Sequence, residues 1–359
     1  MLSLNTENIV FNPVWFDSLG AKSSCTFVRT PDVSILIDPG VAVMQPSFPA
    51  SPLKKRFWAE QARWAIKKAG RKSQIIVISH YHHDHYVDFD EELYKGKIIL
   101  AKNPNDYIND TQRSRACRFY ENICKNFGKT NLENFLKERK AKEYSDPLEE
   151  LPLARKRDYG DYRERKLELL EKGKRWFMKR VENWNSWKLI PEFKFEECKV
   201  RFADNREFRF GNTCVRFSKP FFHGIEYARV GWVISTIITF KNEKFIHTSD
   251  LEGPVIEDQA EWIIRENPNI LVLDGPSTYL IPYMLNLINL RRAVENMCRI
   301  LRETDVDLVI YDHHLPRDVR FKKWVRDVYE TAEREGKRVL TAAEYLGKTP
   351  AVLRNVSGK

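Results

Sequence analysis

His80-Tyr81-His82-His83-Asp84-His85 places four candidate metal ligands, His80, His82, Asp84 and His85, within six residues. The run before it, Gln74-Ile75-Ile76-Val77-Ile78-Ser79, is apolar and of strand length, so the ligands sit where a buried strand ends. A strand end is rigid enough to fix ligand geometry and open enough to admit a substrate. Imidazole and carboxylate groups crowd in this way when they are paired or bind a cation, because burial without a partner is costly. His83 falls between the ligands and reads as structural, pointing away from them.

Four more places share this signature of an apolar strand running into a polar residue. They are Asp38 after Ile35-Leu36-Ile37, His223 after Pro220-Phe221-Phe222, Asp250 after Phe245 to Ser249, and His313 after Leu308 to Asp312. Seven of the eight histidines lie in the six-residue motif or at these strand ends, and only His247 stands apart. Asp38 either orients a ligating imidazole or simply forms the turn before Pro39-Gly40. His313 and His314 are adjacent, and side chains of an extended segment alternate, so one of them is expected to face the site, with His313 the choice. Asp274-Gly275-Pro276 reads as a turn rather than a pocket wall. Tyr279 and Arg317 are candidate substrate contacts by position.

Around these points the chain alternates strand and helix. Strands are expected at Asn8 to Phe16, Ser24 to Arg29 and Val33 to Ile37, an amphipathic helix at 54–69, and a strand at Lys97 to Ala101. Strands return at Phe193 to Phe202, Glu207 to Phe210, Thr213 to Ser218, Gly231 to Phe240 and Lys244 to His247. Helices at 258–266, 285–303 and 318–335 then alternate with strands at Ile270 to Leu273, Asp307 to Tyr311 and Arg338 to Leu340. This pattern predicts an α/β fold, two sheets with helices outside, an α/β/β/α sandwich formed by a single domain over 1–359. Within it, residues 103–190 read as a basic helical insertion with helices at Thr111 to Asn126, Asn131 to Glu143 and Tyr162 to Trp187.

Composition narrows the class. With 359 residues and 42% hydrophobic content the chain can bury a large core. The six cysteines form no CxxC pair, which argues against a disulfide framework or a thiolate metal site and for a reducing compartment. The first residues, Met1 to Glu7, lack a basic region leading into an apolar run, and no stretch approaches a membrane span, so a cytoplasmic protein without a membrane partner is expected. Net charge is +10, and Lys102 to Lys188 carries 22 Lys and Arg against 15 Asp and Glu. That surplus fits either a nucleic-acid surface or solvated helices of a heat-adapted protein.

The order Asp38, HxHxDH, His223, Asp250, His313 resembles the five motifs of the metallo-β-lactamase superfamily. More closely, Asp17-Ser18-Leu19-Gly20, Ile35 to Gly40, Ser79 to His82, Thr248-Ser249-Asp250, Asp274-Gly275-Pro276 with Thr278-Tyr279-Leu280, and Asp312 to Asp318 resemble an archaeal family, UPF0282. The resemblance implies a metallo-β-lactamase-like sandwich and a binuclear centre. In it His80, His82 and His223 would bind one metal, Asp84, His85 and a late histidine the other, and Asp250 would bridge both. Imidazole and carboxylate ligands without thiolate suit zinc, with manganese or iron as alternatives.

The expected activity is hydrolysis of an ester-like bond by a bridging water, with Asp84 and Asp250 in catalytic roles. A small-molecule ester, thioester or phosphoester is the leading substrate class, the insertion serving as a lid. A nuclease or RNA-processing phosphodiesterase is the alternative, the insertion then tracking phosphates and stacking bases. A di-iron redox centre, a non-catalytic binder and a secreted lactamase fit less well. Oligomeric state is not legible.

Overall fold

Alternation along each strand sorts its side chains between two faces. In β3 (Ser34–Ile37), Ile35 and Ile37 face one way and Leu36 the other; in β4 (Ile75–Ile78), Ile75 and Val77 oppose Ile76 and Ile78. The computed structural model describes residues 7–354. Met1 to Thr6, which carry most of the expectation about secretion, and 355–359 lie outside the described residues.

The first sheet has seven strands. With β1 (Val10–Phe16), β2 (Ser24–Arg29), β5 (Lys97–Ala101), β6 (Phe193–Lys194) and β7 (Cys198–Phe202), it runs in the order β1-β2-β3-β4-β5-β7-β6. The second comprises β8 (Glu207–Phe210), β9 (Thr213–Phe217), β12 (Thr236–Phe240), β13 (Glu243–His247), β14 (Ile270–Asp274), β15 (Leu308–Asp312) and β16 (Arg338–Leu340), ordered β16-β15-β14-β13-β12-β9-β8. Between β9 and β12 in sequence, β10 (Phe221–Phe222) and β11 (Trp232–Val233) form a two-stranded ribbon.

The sheets face each other across a core that takes Ile35, Ile37, Ile75 and Val77 from one and Ile238, Phe245, Ile270, Val272, Leu308 and Ile310 from the other. Their outer faces are covered by helices. Helix Glu257–Glu266, helix Leu287–Glu303 and helix Arg326–Arg334 pack on Leu271, Leu273, Val309 and Tyr311. The α/β/β/α sandwich expected from the sequence is the observed architecture. Strands β3, β4 and β5 run parallel, as do β13, β14 and β15, so their C-terminal ends gather the polar residues that follow them. Ligand sites in α/β folds form at such strand ends.

Residues 103–190 complete the layer over the first sheet. Phe119, Tyr120 and Ile123 of helix Asp110–Phe127 and Phe177 and Trp184 of helix Arg163–Ser186 are buried with Leu36, Ile76, Ile78 and Ile99. Asn131 to Glu143, expected as a helix, makes only a short 3-10 turn at Leu132–Phe135 and then an irregular segment bridged to Leu189 through Lys137. The stretch from Lys137 to Glu143 has no apolar stripe to bury, and Arg139 instead bonds Asp106 (2.8 Å) and the Asn105 carbonyl (2.9 Å). Three other expected elements are interrupted. Phe193 to Phe202 divides into β6 and β7, which turn back and pair antiparallel. Gly231 to Phe240 divides because β11 pairs with β10 while β12 joins the second sheet. The helix expected at 318–335 starts at Phe321 and breaks at Val325.

A buried ionic network ties this layer to the rest. Lys166 Nζ donates to Glu226 Oε2 (2.6 Å), and Arg292 donates to Glu226 Oε1 (2.5 Å) and Glu257 Oε2 (2.7 Å). Burial pushes the Glu226 carboxyl up, but Arg292 and Lys166 outweigh it and hold it at about 2. That is below the unfolded value of about 4.3, so Glu226 contributes fully above that pH and its contribution is lost as pH falls toward 2. Glu226→Gln is expected to cost about 3–5 kcal/mol at neutral pH, because it strands buried cations. Urea denaturation at neutral pH and at about pH 3 checks this: the deficit shrinks at the lower pH.

Candidate metal centre

Three turns at strand ends build the floor of the site. Asp38, Ser249 and His313 each adopt positive φ (50°, 58° and 61°), an uncommon conformation for residues with a Cβ. Each turn aims a side chain into the space between the sheets. Behind Asp38, Gly40 lies flat against the motif: a Cβ there would stand 2.3 Å from the backbone nitrogens of His85 and Tyr86. Only glycine allows that approach.

The motif folds back on itself, with His85 N bonded to the His82 carbonyl (2.8 Å). This places His80 Nε2 2.9 Å from His82 Nδ1. Asp250 Oδ2 sits 3.0 Å from His223 Nε2 and 3.5 Å from His80 Nε2. His80, His82, His223 and Asp250 thus offer four ligand atoms within 4.8 Å of one another. The separations of 2.9, 3.0 and 3.5 Å among them bracket the spacing of about 3.3 Å between ligands held about 2.0–2.1 Å from a tetrahedral divalent cation.

A second group adjoins it. Asp84, His85 and His313 offer three converging atoms, with His85 Nε2 3.1 Å from His313 Nε2. The other oxygen of Asp250, Oδ1, lies 3.0 Å from His85 Nε2 and 3.4 Å from His313 Nε2. It is buried yet takes part in no aligned hydrogen bond. An ionised oxygen surrounded by ring nitrogens in this way has the surroundings of a cation ligand.

The rings of His80, His85, His313 and His314 are held from behind, and a carboxylate stands behind His223. Asp38 Oδ2 accepts from His85 Nδ1 (2.9 Å) and from the Ser79 hydroxyl (2.6 Å). Asp17 Oδ1 is 3.1 Å from His313 Nδ1, Asp274 Oδ1 2.8 Å from His314 Nδ1, and Glu252 Oε1 3.4 Å from His223 Nδ1. His80 Nδ1 lies 3.1 Å from Ser79 Oγ and 3.2 Å from Ser249 Oγ. A carboxylate on one ring nitrogen fixes the tautomer and leaves the other free to ligate.

Charge follows from this. Burial works against an imidazolium at His85, but Asp250 and Asp38 outweigh it and lift the ring to about 10. His223 rises to about 10 against the same burial through Asp250 and Glu252. His82 falls to about 3, because it is buried and faces His223. Asp274 is pushed up by burial and then by Asp250.

The structure brings together His80, His82, Asp84, His85, His223, Asp250 and His313. His314 also joins the cluster, grouped with Asp250 and His313. The expectation that one of the two histidines would turn away fails because His313 is left-handed rather than extended, so alternation does not apply. Asp274, expected as part of a turn, backs His314. His83 lies on the exposed side and stacks on Tyr86 (ring centroids 5.5 Å apart). His247 is buried, bonding the Ser24 carbonyl (2.9 Å) and receiving the Ser249 amide (3.2 Å), which fixes the turn before Asp250.

Sequence reasoning passed over Asp17, Glu252, Gln112 and Lys22 as site residues. Asp17 follows β1 and carries the same strand-into-carboxylate signature as Asp38, so that signal was present. Gln112, whose Nε2 is 3.4 Å from His82 Nε2, sits in a helix and has no sequence signature.

Known proteins resemble this chain over most of its length. Residues 20–120 match the family model of the metallo-beta-lactamase superfamily. The chain is 30% identical over 354 residues to the UPF0282 protein of Methanopyrus kandleri, covering 95% of each chain. It is 32% identical over 353 residues to that of Methanocaldococcus jannaschii, covering 95% of this chain and 92% of the relative. The chain belongs to the UPF0282 family. Among solved structures, this UPF0282 protein is similar to the metallo-beta-lactamase fold protein YhfI from Bacillus subtilis, with a TM-score of 0.42, 13% identity, and coverage of 93% of this chain and 96% of that one. Its His and Asp groups suit divalent metal binding. Among the described residues, no helix is long and apolar enough to cross a membrane.

Proposed function

We propose that this UPF0282 protein is a metal-dependent hydrolase with a binuclear centre, zinc being the best fit to its ligands and manganese or iron the alternatives. One observation carries the reading: Asp250 divides its oxygens, Oδ2 toward His223 and Oδ1 toward His85, each at 3.0 Å. A carboxylate so placed joins two ligand groups. Bound there, two divalent cations supply acidification of water and polarisation of the oxygen of a scissile ester.

The chain's own residues do the rest. Asp38, Asp17 and Asp274 hold three imidazoles in the tautomer that ligates. Asp84 is partly exposed, its side chain 17% accessible, which suits it to take a proton from the attacking water and return it to the leaving group. Helix Asp110–Phe127 borders the His82 side through Gln112.

The substrate class we favour is a small ester, thioester or phosphoester, with residues 103–190 as a cover. Two features support this over nucleic acid. The aromatic residues Phe119, Tyr120, Phe177 and Trp184 are core and unavailable for base stacking. Several cations of helix Arg163–Ser186 are paired with acids, among them Arg165 with Glu168, Arg175 with Glu171 and Arg180 with Asp110. All six cysteines are free, which fits a reducing, cytoplasmic setting.

Metal analysis after loading with zinc or manganese tests the centre, and about two ions per chain are expected. No bound transition metal would sink the proposal. Turnover of a panel of carboxylic esters, thioesters, lactones and phosphodiesters then sorts the substrates, and chelation should abolish it. RNA binding that weakens steeply with salt would favour the nuclease alternative instead.

A further inference from the structure

Beside the Asp84–His85–His313 group stands a buried guanidinium with one uncommitted edge. Arg317 Nε donates to Asp17 Oδ2, and Nη1 donates to the Tyr279 hydroxyl (2.9 Å), so the plane of the group is fixed. Its Nη2 is buried and donates no hydrogen bond; the Asp84 Oδ2 oxygen lies 3.8 Å from it. The Tyr279 ring packs under the guanidinium, 5.5 Å from its carbon. Because Tyr279 accepts from Arg317, its own hydroxyl proton is left to donate elsewhere.

Lys22 adds a second cation. It precedes Ser23, whose carbonyl is 3.2 Å from His313 Nδ1, and its backbone is fixed by a bridge to Ala42. Burial first and then the Arg317 charge push its half-buried amine down from the usual lysine range, against the pull of Asp84 and Asp17. Among the described residues it makes no hydrogen bond or ion pair. The two cations oppose each other, Asp84 faces both, and Asp17, which bonds Arg317, is shared with His313. Such an arrangement is stable when an anion completes it. A planar N–H edge, an ammonium without a hydrogen-bond partner and a phenol hydroxyl together match the oxygens of a carboxylate or phosphate.

We propose that Lys22, Arg317 and Tyr279 form an oxyanion pocket beside the metal centre, and that the substrate carries a carboxylate or phosphate that seats there. The inference deepens the hydrolase reading and rests on it for the word substrate; the pocket itself does not depend on turnover. It makes this UPF0282 protein selective for anionic esters over neutral ones of the same size.

Calorimetric titration of the metal-loaded protein with inorganic phosphate and, separately, with acetate tests the pocket. The comparison is between wild type, Lys22→Ala and Lys22→Arg, since Arg317 is too deeply built in for a clean substitution. Binding in the wild type should weaken by about tenfold or more in Lys22→Ala and be largely kept in Lys22→Arg. The tighter of the two probes identifies phosphate or carboxylate as the preferred group. Equal affinity in wild type and Lys22→Ala would overturn the pocket, because the anion would then rest on the metals alone. So would no binding of either anion to the wild type. A protein that binds phosphate through Lys22 yet hydrolyses nothing in the ester panel defeats the hydrolase reading and leaves the pocket standing.

Discussion

Asp250→Ala is expected to leave about one transition-metal ion or fewer per chain and to abolish turnover, the largest effect of any single change in this protein. Asp250 is buried, and its two oxygens face different groups of imidazoles: His80 and His223 on one side, His85 and His313 on the other. Without it, three or more rings converge on a space with no central negative charge, and two cations held there would repel each other unscreened. Metal content by plasma emission, read beside circular dichroism of the same sample, separates loss of metal from loss of fold. A folded variant that keeps two ions and full activity would refute the assignment of Asp250 as the shared ligand.

Asp17→Ala should produce the second largest effect, and on two scales at once. Its Oδ1 holds His313 (3.1 Å) and receives the Ser23 amide (2.9 Å), while Oδ2 takes Arg317 Nε. Loss of the partner behind a ligating imidazole costs about 10–100-fold in metal affinity or activity. Stranding Arg317 without its carboxylate costs about 3–5 kcal/mol of stability as well. Competition with a chelator reads the first effect and urea denaturation the second. Asp17→Asn should recover part of the stability, since its amide oxygen can still accept from Arg317, but not the metal affinity. A variant as stable and as tightly loaded as wild type would show that Asp17 supports neither group.

Much of this was legible before any coordinates. Apolar runs ending in Asp38, His80, Asp250 and His313 marked both the strands and the side chains at their tips, because a buried parallel strand has to be apolar and its end meets the site. The carboxylates behind the rings were harder to see. Asp17 and His313 are 296 residues apart and Asp274 and His314 are 40 apart, and no local pattern links such partners. His313, the choice of the two adjacent histidines, does join the cluster; that His314 joins it as well turns on a single backbone angle that no propensity foretells. The segment from Asn131 to Glu143 differs for another reason: its apolar residues Leu132, Phe135 and Leu136 reach the core but end at 136, and Lys137 to Glu143 has no apolar face with which to continue a helix against it. The basic surplus of residues 102–188 also reads differently once Phe177 and Trp184 are found beneath it, because the charges lie on the outside of a layer the first sheet requires.

The ligands come in halves. His80, His82, Asp84 and His85 follow the first sheet, while Asp250, His313 and His314 follow strands of the second, and each candidate group that contains His80 or His85 draws on both. Neither half of the chain can assemble such a group on its own. A cation captured there would act as a clasp across the seam between the sheets, closing only after the two halves have docked. Metal uptake during refolding would then serve as a clock for that docking event, and chelation would loosen the molecule along this seam before anywhere else.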